Sequence, residues 1–358
     1  KLKYMFPSIV EVSERFVKTM EEFRLSGKKL EMREMCACYT TDVIGCIAFG
    51  LECNSLAEGF NEFRRAGEGA LRGNNPLLEF LSVKYPQLAR RLHVRAFPKY
   101  MNEFYAKIIS QNVEYRTQNN IRRTDFLDIL MEQRKTQEKG DFGFILNEII
   151  AHSFAFFIGG FETSANTMNF CLYELSKNPQ IQQRTRQSIL EALQKHYNVL
   201  SYDCLQDMKY LNQVFMGKFK KLLQPQFQNI IFSETLRKYP IAPTLKRVTG
   251  STYKVPHTNH ILKPGDQIII PAYAIHHDAE IYPQPSVFDP ERFAADEIQK
   301  RHAMTYLPFG AGPRSCIADR FGKLQAMVGL AQLLRNFRFS PTVNTPKELK
   351  FSPRNVRI

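Results

Sequence analysis

Apolar positions recur three and four residues apart through most of this chain, the pattern of helices that bury one face. Phe6, Ile9, Val10, Phe16, Val17 and Met20 set the first such stripe. Asp42-Val43-Ile44-Gly45-Cys46-Ile47-Ala48-Phe49-Gly50 is apolar on almost every side, with glycine where helices can approach closely. Residues 51–100 are mixed, with a loop signal at Gly73-Asn74-Asn75-Pro76. The span from Asn102 to Arg116 is helical again, and Arg122-Arg123-Thr124-Asp125 ahead of Phe126-Leu127-Asp128-Ile129-Leu130 predicts a capped helix start. Gln137-Glu138-Lys139-Gly140-Asp141 predicts a solvated loop, and Ile145–Leu175 the longest apolar helix. From about Asp266 the pattern changes: Gln267-Ile268-Ile269-Ile270-Pro271 predicts a short strand, and prolines recur through Pro290. Phe321, Leu324, Val328, Leu330, Leu333 and Leu334 predict a last helix. No period of 20–50 residues points to repeats. The expected fold class is mainly α with small β regions.

Composition narrows this only in part. The chain has 358 residues, 44% of them hydrophobic, with 28 phenylalanines, which calls for a large apolar core. The net charge of +14 suggests an acidic partner or an anionic surface. No zinc-finger spacing, basic heptad or RNP-type string accompanies it, so no nucleic-acid partner is expected. Seven cysteines, an odd number at irregular spacing, are not a disulfide framework and fit a reducing, cytosol-facing location. Cys36 and Cys38 form a C-x-C without a second pair at zinc spacing and read as buried thiols. No run of 18 apolar residues encodes a membrane-spanning helix. The opening Lys1-Leu2-Lys3-Tyr4 reads as the interior of a longer protein.

Two strings carry candidate chemistry. Phe309-Gly310-Ala311-Gly312-Pro313-Arg314-Ser315-Cys316-Ile317-Ala318 packs turn-formers, an arginine and a cysteine ahead of the last helix. It reads as a tight loop that brings Cys316 to a helix start, where the dipole and Arg314 favour a thiolate suited to a metal. A buried cysteine near a glycine loop is the plainer alternative. In the long apolar helix, Phe156-Phe157-Ile158-Gly159-Gly160-Phe161-Glu162-Thr163-Ser164 sets two glycines, an acid and an alcohol. Each glycine weakens a helix by about 1 kcal/mol. Either they open one face, with Thr163 breaking the hydrogen-bond ladder and Glu162 relaying protons, or they permit a close helix crossing beside an exposed glutamate. Sequence chemistry leaves both open.

The first string resembles the haem-binding loop of the cytochrome P-450 family, F-x-x-G-x-R-x-C-x-G, with Ala318 standing where the family has its last glycine. The second resembles that family's oxygen-activating motif, A/G-G-x-E/D-T, and lies upstream of the first, in the family's order. The resemblance implies a cytochrome P-450 fold in a single domain over 1–358. It implies heme b (iron protoporphyrin IX) with Cys316 as axial ligand to the haem iron, Arg247 and Arg314 toward its propionates, and Phe309, Gly310, Gly312 and Ala318 in the loop around it. Thr163 and Glu162 become the catalytic pair that manages oxygen and protons, with Phe154, Phe157, Ile158 and Thr244 facing substrate. Glu234-Thr235-Leu236-Arg237, whose acid and base share one helix face, joins Arg292 of Pro290-Glu291-Arg292-Phe293 in the family's buried structural triad, which locks the cysteine loop.

Asp42–Leu56, Gly159–Ser164, Glu234–Pro240, Ala272–Asp278, Pro290–Phe293 and Phe309–Gly322 most resemble insect microsomal enzymes of the xenobiotic-metabolising family 6. The activity implied is insertion of one oxygen atom from O2 into a lipophilic small molecule. Electrons would come from NADPH through a flavin-containing NADPH-cytochrome P-450 reductase, with cytochrome b5 as a second partner. The place implied is the cytosolic face of the endoplasmic reticulum membrane, and the basic charge fits an acidic reductase face. A non-catalytic haem binder and an inactive remnant are the alternatives. The match reads as truncated at both ends: the amino-terminal anchor, the first sheet and the C helix with its W-x-x-x-R motif are missing from a chain without tryptophan. Lys350-Phe351-Ser352-Pro353-Arg354 matches the start of the last sheet. The stripe Met208, Leu211, Val214 resumes at Phe232, Leu236 and Tyr239 when 215–231 is left out. That segment reads as an insertion, a retained intron or a tolerated surface loop.

Overall fold

The first amphipathic stripe forms α1, Leu2–Ser26, which buries Phe6, Ile9, Val12, Phe16 and Met20 and leaves Val10 and Val17 at its margins. The computed structural model describes residues 2–71, 81, 84–94, 97–123, 125–138, 145–208, 210 and 230–349. It divides into two units, one of residues 1–169, 200–202 and 320–358 and one of residues 170–199 and 203–319.

In the first unit α2, Met32–Ile44, is buried without a break from Met35 onward, Thr40, Thr41 and Asp42 included. It runs into a π-helical turn, Gly45–Phe49. Two short helices follow, α3 (Ser55–Glu58) and α4 (Glu62–Leu71), then α5 (Pro86–Arg91), α6 (Lys99–Gln118) and α7 (Phe126–Glu138). The predicted cap of α7 is present: Asp125 Oδ1 accepts the Asp128 N–H at 3.0 Å. The same carboxylates hold Arg116 of α6 at 2.7–2.8 Å, and Arg116 also donates to the Phe49 carbonyl at 2.7 Å. One buried arginine therefore ties α6, α7 and the end of the π-helical turn together.

The long apolar helix is α8, Leu146–Lys177, continuous over 32 residues from the first unit into the second. The last helix, α14, Asp319–Asn336, is buried from Leu324 through Leu334. Tyr39 of α2 stacks on Phe16 with ring centroids 4.8 Å apart and donates to the Gln325 carbonyl of α14 at 2.9 Å.

In the second unit α9 (Pro179–Lys195), α10 (Tyr202–Asp207) and α11 (Ile230–Lys238) precede two antiparallel strand pairs. Strand β1 (Leu245–Val248) pairs with β4 (Gln267–Ile270), Leu245 opposite Ile270; β2 (Tyr253–Lys254) pairs with β3 (Ile261–Leu262). The predicted strand is thus β4, ended by Pro271. Short helices α12 (Ala272–His276) and α13 (Ala295–Gln299) follow.

The loop signal at 73–76, most of the loop at 137–141 and the match at 350–354 lie outside the described residues, as does 215–229 of the segment read as an insertion. Its last two residues are described. Ile230 and Ile231 form the first turn of α11 and are 2% and 0% exposed, with Ile230 in a cluster with Tyr282 and Phe293. Both are helical and buried, so the apolar face of α11 includes Ile230 and Ile231 beside Phe232 and Leu236.

Candidate functional site

The cysteine loop is built from backbone turns that only glycine makes without strain. Gly310 and Gly312 have φ of 71° and 76°. The Gly310 N–H returns to the Leu307 carbonyl at 3.2 Å, Gly312–Arg314 forms a 3-10 turn, and the Cys316 N–H closes the loop on the Phe309 carbonyl at 2.9 Å. Ala318 keeps a negative φ, so a methyl group in place of hydrogen strains nothing there. Cys316 lies three residues ahead of the first residue of α14, and its own N–H is spent inside the loop. The expected placement on the helix start is corrected accordingly: the loop closure, not the helix end, fixes this residue. Arg247 on β1 reaches the loop, donating to the Ala311 carbonyl at 3.5 Å, and Arg314 is exposed. Thr244 is exposed just ahead of β1.

Cys316 is the one exposed thiol of the seven. The buried ones are suppressed as nucleophiles and ligands: burial pushes Cys38 and Cys171 up to about 12. Among the described residues no group of three His, Cys, Asp or Glu side chains could chelate a metal. A metal at Cys316 would bring most of its other ligands with it, and a porphyrin does so. The donor set fits that group. It offers one accessible soft sulfur, two arginines suited to carboxylates, and the apolar side chain of Ile317, 96% exposed.

In the same unit, the structure brings Glu234, Arg237 and Arg292 together. Arg237 grips Glu234 with two bonds of 2.7 and 2.8 Å, and both side chains are fully buried. It also donates to the carbonyls of His276 (2.9 Å), Pro285 (2.8 Å) and Val287 (3.4 Å). Arg292 Nε stands 3.7 Å from Glu234, which also accepts the Asp289 N–H at 3.0 Å. Burial raises the Glu234 pKa, and the Arg237 hydrogen bond opposes the rise. Arg301, which the sequence did not flag, lies over the rings of Tyr282 and Phe293 at 4.7 and 5.4 Å and donates to the Arg292 carbonyl.

In the first unit the two glycines of α8 do different things. A Cβ on Gly160 would stand 2.5 Å from Ile44 Cδ1, so Gly160 permits a close crossing with α2; a Cβ on Gly159 would meet nothing within 4 Å. Ala151, His152, Ala155, Gly159 and Thr163 are the exposed positions of this stretch, a single stripe at helical spacing. Gly159 thus opens one face, as in the first reading, and Gly160 permits a close crossing, as in the second. The expected break in the ladder does not occur. The helix is continuous, and the Thr163 hydroxyl bends back to the Gly159 carbonyl at 2.7 Å. Phe157 is corrected as well: it is 1% exposed, among Phe49, Phe63, Tyr105 and Phe161 with centroids 5.1–6.3 Å away, and belongs to the core. Phe154 and Ile158 are half-buried, Phe154 edge-on to Phe97 and Tyr105.

Glu162 is neither exposed nor free. It is 1% exposed, hydrogen-bonded to Arg33 of α2 and 3.8 Å from Arg64 of α4. Arg64 takes both oxygens of Glu34 at 2.9 Å. Burial pulls the Arg64 pKa down, but the Glu34 hydrogen bond and the Glu34 and Glu162 charges leave it above its ordinary value. On the other side of the motif, Gln325 of α14 donates its amide to the Gly160 carbonyl and to the Ser164 hydroxyl, each at 2.6 Å. Sequence reasoning missed Arg33, Arg64 and Gln325, and no local pattern marks them.

A sequence model described as Cytochrome P450 matches residues 1–216 and 220–356. The two stretches part inside the segment read as an insertion. Among curated proteins the chain is similar to probable cytochrome P450 6a13 of Drosophila melanogaster, 44% identical over all of this chain and 69% of that protein. It is similar to cytochrome P450 6a8 of the same fly, 42% identical over 99% of this chain and 69% of the other. Cytochrome P450 6A1 of Musca domestica is 39% identical, again over 99% and 69%.

Proposed function

This chain belongs to the cytochrome P450 family, and we propose that it acts as a xenobiotic- or endogenous-compound monooxygenase fed by NADPH through a flavoprotein reductase, with cytochrome b5 as an auxiliary donor, on the cytosolic face of the endoplasmic reticulum membrane. Members of the family are haem monooxygenases that use a redox partner and take lipophilic substrates. Haem supplies the oxidising chemistry, with electron push from a cysteine thiolate favouring O–O cleavage. The chain's own residues supply the rest. Cys316 is the iron ligand, presented by a loop whose backbone bonds to Phe309 and Leu307 hold it before any cofactor arrives. Arg247 and Arg314 take the propionates. Thr163 holds a proton at Oγ1, donated to the Gly159 carbonyl, and keeps its hydroxyl oxygen as an acceptor on the exposed stripe of α8. Glu162, bound to Arg33, anchors that turn of helix. The net charge of +14 supports docking of an acidic redox partner.

The observation that carries this reading is the exposed thiol of Cys316 on a glycine-turned loop. The full chain, expressed with a haem precursor, should give the red-shifted Soret band of thiolate-ligated haem in the reduced, carbon-monoxide difference spectrum. Cys316→Ser should lose that band, and the wild type with reductase should consume NADPH in the presence of lipophilic substrates. Absence of the band in the wild type, or its survival in Cys316→Ser, refutes the assignment. A band without NADPH consumption leaves a haem binder and overturns the enzyme.

A further inference from the structure

We propose that His276 is a positioning residue for Cys316, holding through its imidazole Nε2 the peptide from which the cysteine loop springs. The inference rests on Cys316 as the iron ligand. His276 closes α12 and is fully buried, its ring stacked on Tyr306 with centroids 5.5 Å apart. Nε2 lies 2.8 Å from the Leu307 N–H. A backbone N–H can only donate, so Nε2 is the acceptor and the ring proton sits on Nδ1. Nδ1 is buried and makes no hydrogen bond of good geometry; the Arg237 backbone beside it favours a proton on the ring.

The residue joins two structures already described. Its carbonyl accepts Arg237 at 2.9 Å, so its backbone is fixed by the buried pair, while its ring fixes Leu307. From Leu307 the path to the thiol is short. The Leu307 carbonyl takes the Gly310 N–H, and the Phe309 carbonyl takes the Cys316 N–H. Gly312 through Ile317 are exposed, whereas Leu307 is buried. The loop is thus held at its inner foot, and His276 holds the foot. The Arg237 cation and the neighbouring His277 act on the ring, Tyr306 stacks against it, and Glu234 and Arg301 stand within the same cluster. Burial first, then the Arg237 and His277 charges, bring the His276 pKa down to about 4, which keeps Nε2 unprotonated and able to accept.

The test compares haem-loaded wild type, His276→Phe and His276→Gln. Phenylalanine keeps the ring and deletes the acceptor; the glutamine amide oxygen can reach the same N–H. One readout is the rate at which the thiolate-type carbon-monoxide band converts to the band of thiolate-free haem under mild denaturant. The other is amide hydrogen exchange of the peptide covering 303–316, with the strand at 267–270 as internal control. One hydrogen bond to a buried amide corresponds to about a tenfold change. His276→Phe should speed both band conversion and local exchange about tenfold with the control strand unchanged, and His276→Gln should stay within about threefold of wild type. Wild-type behaviour in His276→Phe overturns the proposal, as does a His276→Gln variant no better than phenylalanine. If His276→Phe does not fold, His276→Asn, too short to reach Leu307, takes its place with the same expected loss. If the wild type shows no thiolate band, the Cys316 assignment fails, and the exchange comparison on the unloaded chain still decides whether His276 holds the loop.

Discussion

Replacing Glu162 by glutamine separates an anchored carboxylate from a mobile proton carrier. The carboxylate is 1% exposed, hydrogen-bonded to Arg33 and 3.8 Å from Arg64. At an effective dielectric constant of about 20, the Arg64 pair alone is worth about 4 kcal/mol of attraction. Desolvation offsets much of that, and breaking a buried pair typically costs about 3–5 kcal/mol because the abandoned charge stays buried. Two features place Glu162→Gln at the low end. Arg33 is 17% exposed and can reach water, and Arg64 keeps its two bonds to Glu34. We expect a loss of about 3 kcal/mol. With an unfolding entropy of about 2.1 cal/mol/K per residue over the whole chain, that is a fall of about 4 °C in Tm. Differential scanning calorimetry of the haem-loaded chain measures it, with Arg33→Met expected to fall by a similar amount. A carboxylate that moves to carry protons would lose turnover on amide substitution while leaving Tm nearly untouched. A Tm within about 1 °C of wild type for both variants, accompanied by a turnover loss of about a hundredfold or more, refutes the anchor.

Four further outcomes follow. Arg237→Lys keeps the charge but cannot reproduce the two-pronged grip on Glu234 together with the three carbonyl bonds; urea unfolding should show a loss of about 3–5 kcal/mol and poor haem retention. His276 is buried neutral, its pKa lowered from 6.5 to about 4. The unfolded chain therefore binds the extra proton between these values, and the contribution to stability is complete above about pH 6.5 and lost as pH falls toward about 4. The difference in unfolding free energy between wild type and His276→Gln should shrink by up to about 3 kcal/mol across that window, while Glu234 and Asp42, whose pKa values are raised by burial, cancel in the comparison. Gly159→Ala should raise stability by about 0.5–1 kcal/mol in a chemical melt because its Cβ meets open space. Gly160→Ala should lower it by about 1–3 kcal/mol because its Cβ would fall 2.5 Å from a buried Ile44.

Much of this was legible in the sequence because it is local. The stripe of α1, the Asp125 cap, strand β4 and the loop around Cys316 each declare themselves within about ten residues, and the pairing of Glu234 with Arg237 needs only the helix repeat. What was not legible depends on partners far along the chain. Glu162 reads as exposed or as a relay until Arg33, 129 residues upstream, is seen beside it. Phe157 looks like its neighbours Phe156 and Ile158 in composition, yet each step along a helix turns about 100°, and only packing decides which of three apolar residues enters the core. His276 lies in the matched stretch 272–278, but nothing there points to its partner, the amide of Leu307, a group that every residue but proline offers. Ile230 and Ile231 sit beside a basic, proline-containing stretch in the sequence, and only their burial in α11 shows that they are core.

The two buried charge clusters are not equivalent, and the difference predicts how each responds to apolar replacement. A buried ion pair adds little net stability over a well-packed apolar pair, so its retention must be sought in what else it bonds. Arg237 answers the carbonyl at the end of α12 and two loop carbonyls besides Glu234, and no apolar side chain can satisfy those. Arg33 and Glu162 chiefly answer each other, with Arg64 already committed to Glu34. Replacing Arg33 and Glu162 together by leucine should therefore recover most of the stability lost in Glu162→Leu alone, whereas replacing Glu234 and Arg237 together should recover little, since the orphaned carbonyls remain. Urea melts of the four single and two double variants read this directly as coupling energies. Equal recovery in both pairs would mean that the loop carbonyls find water when Arg237 is gone, and that the arginine serves its carboxylate and not the chain that carries the cysteine loop.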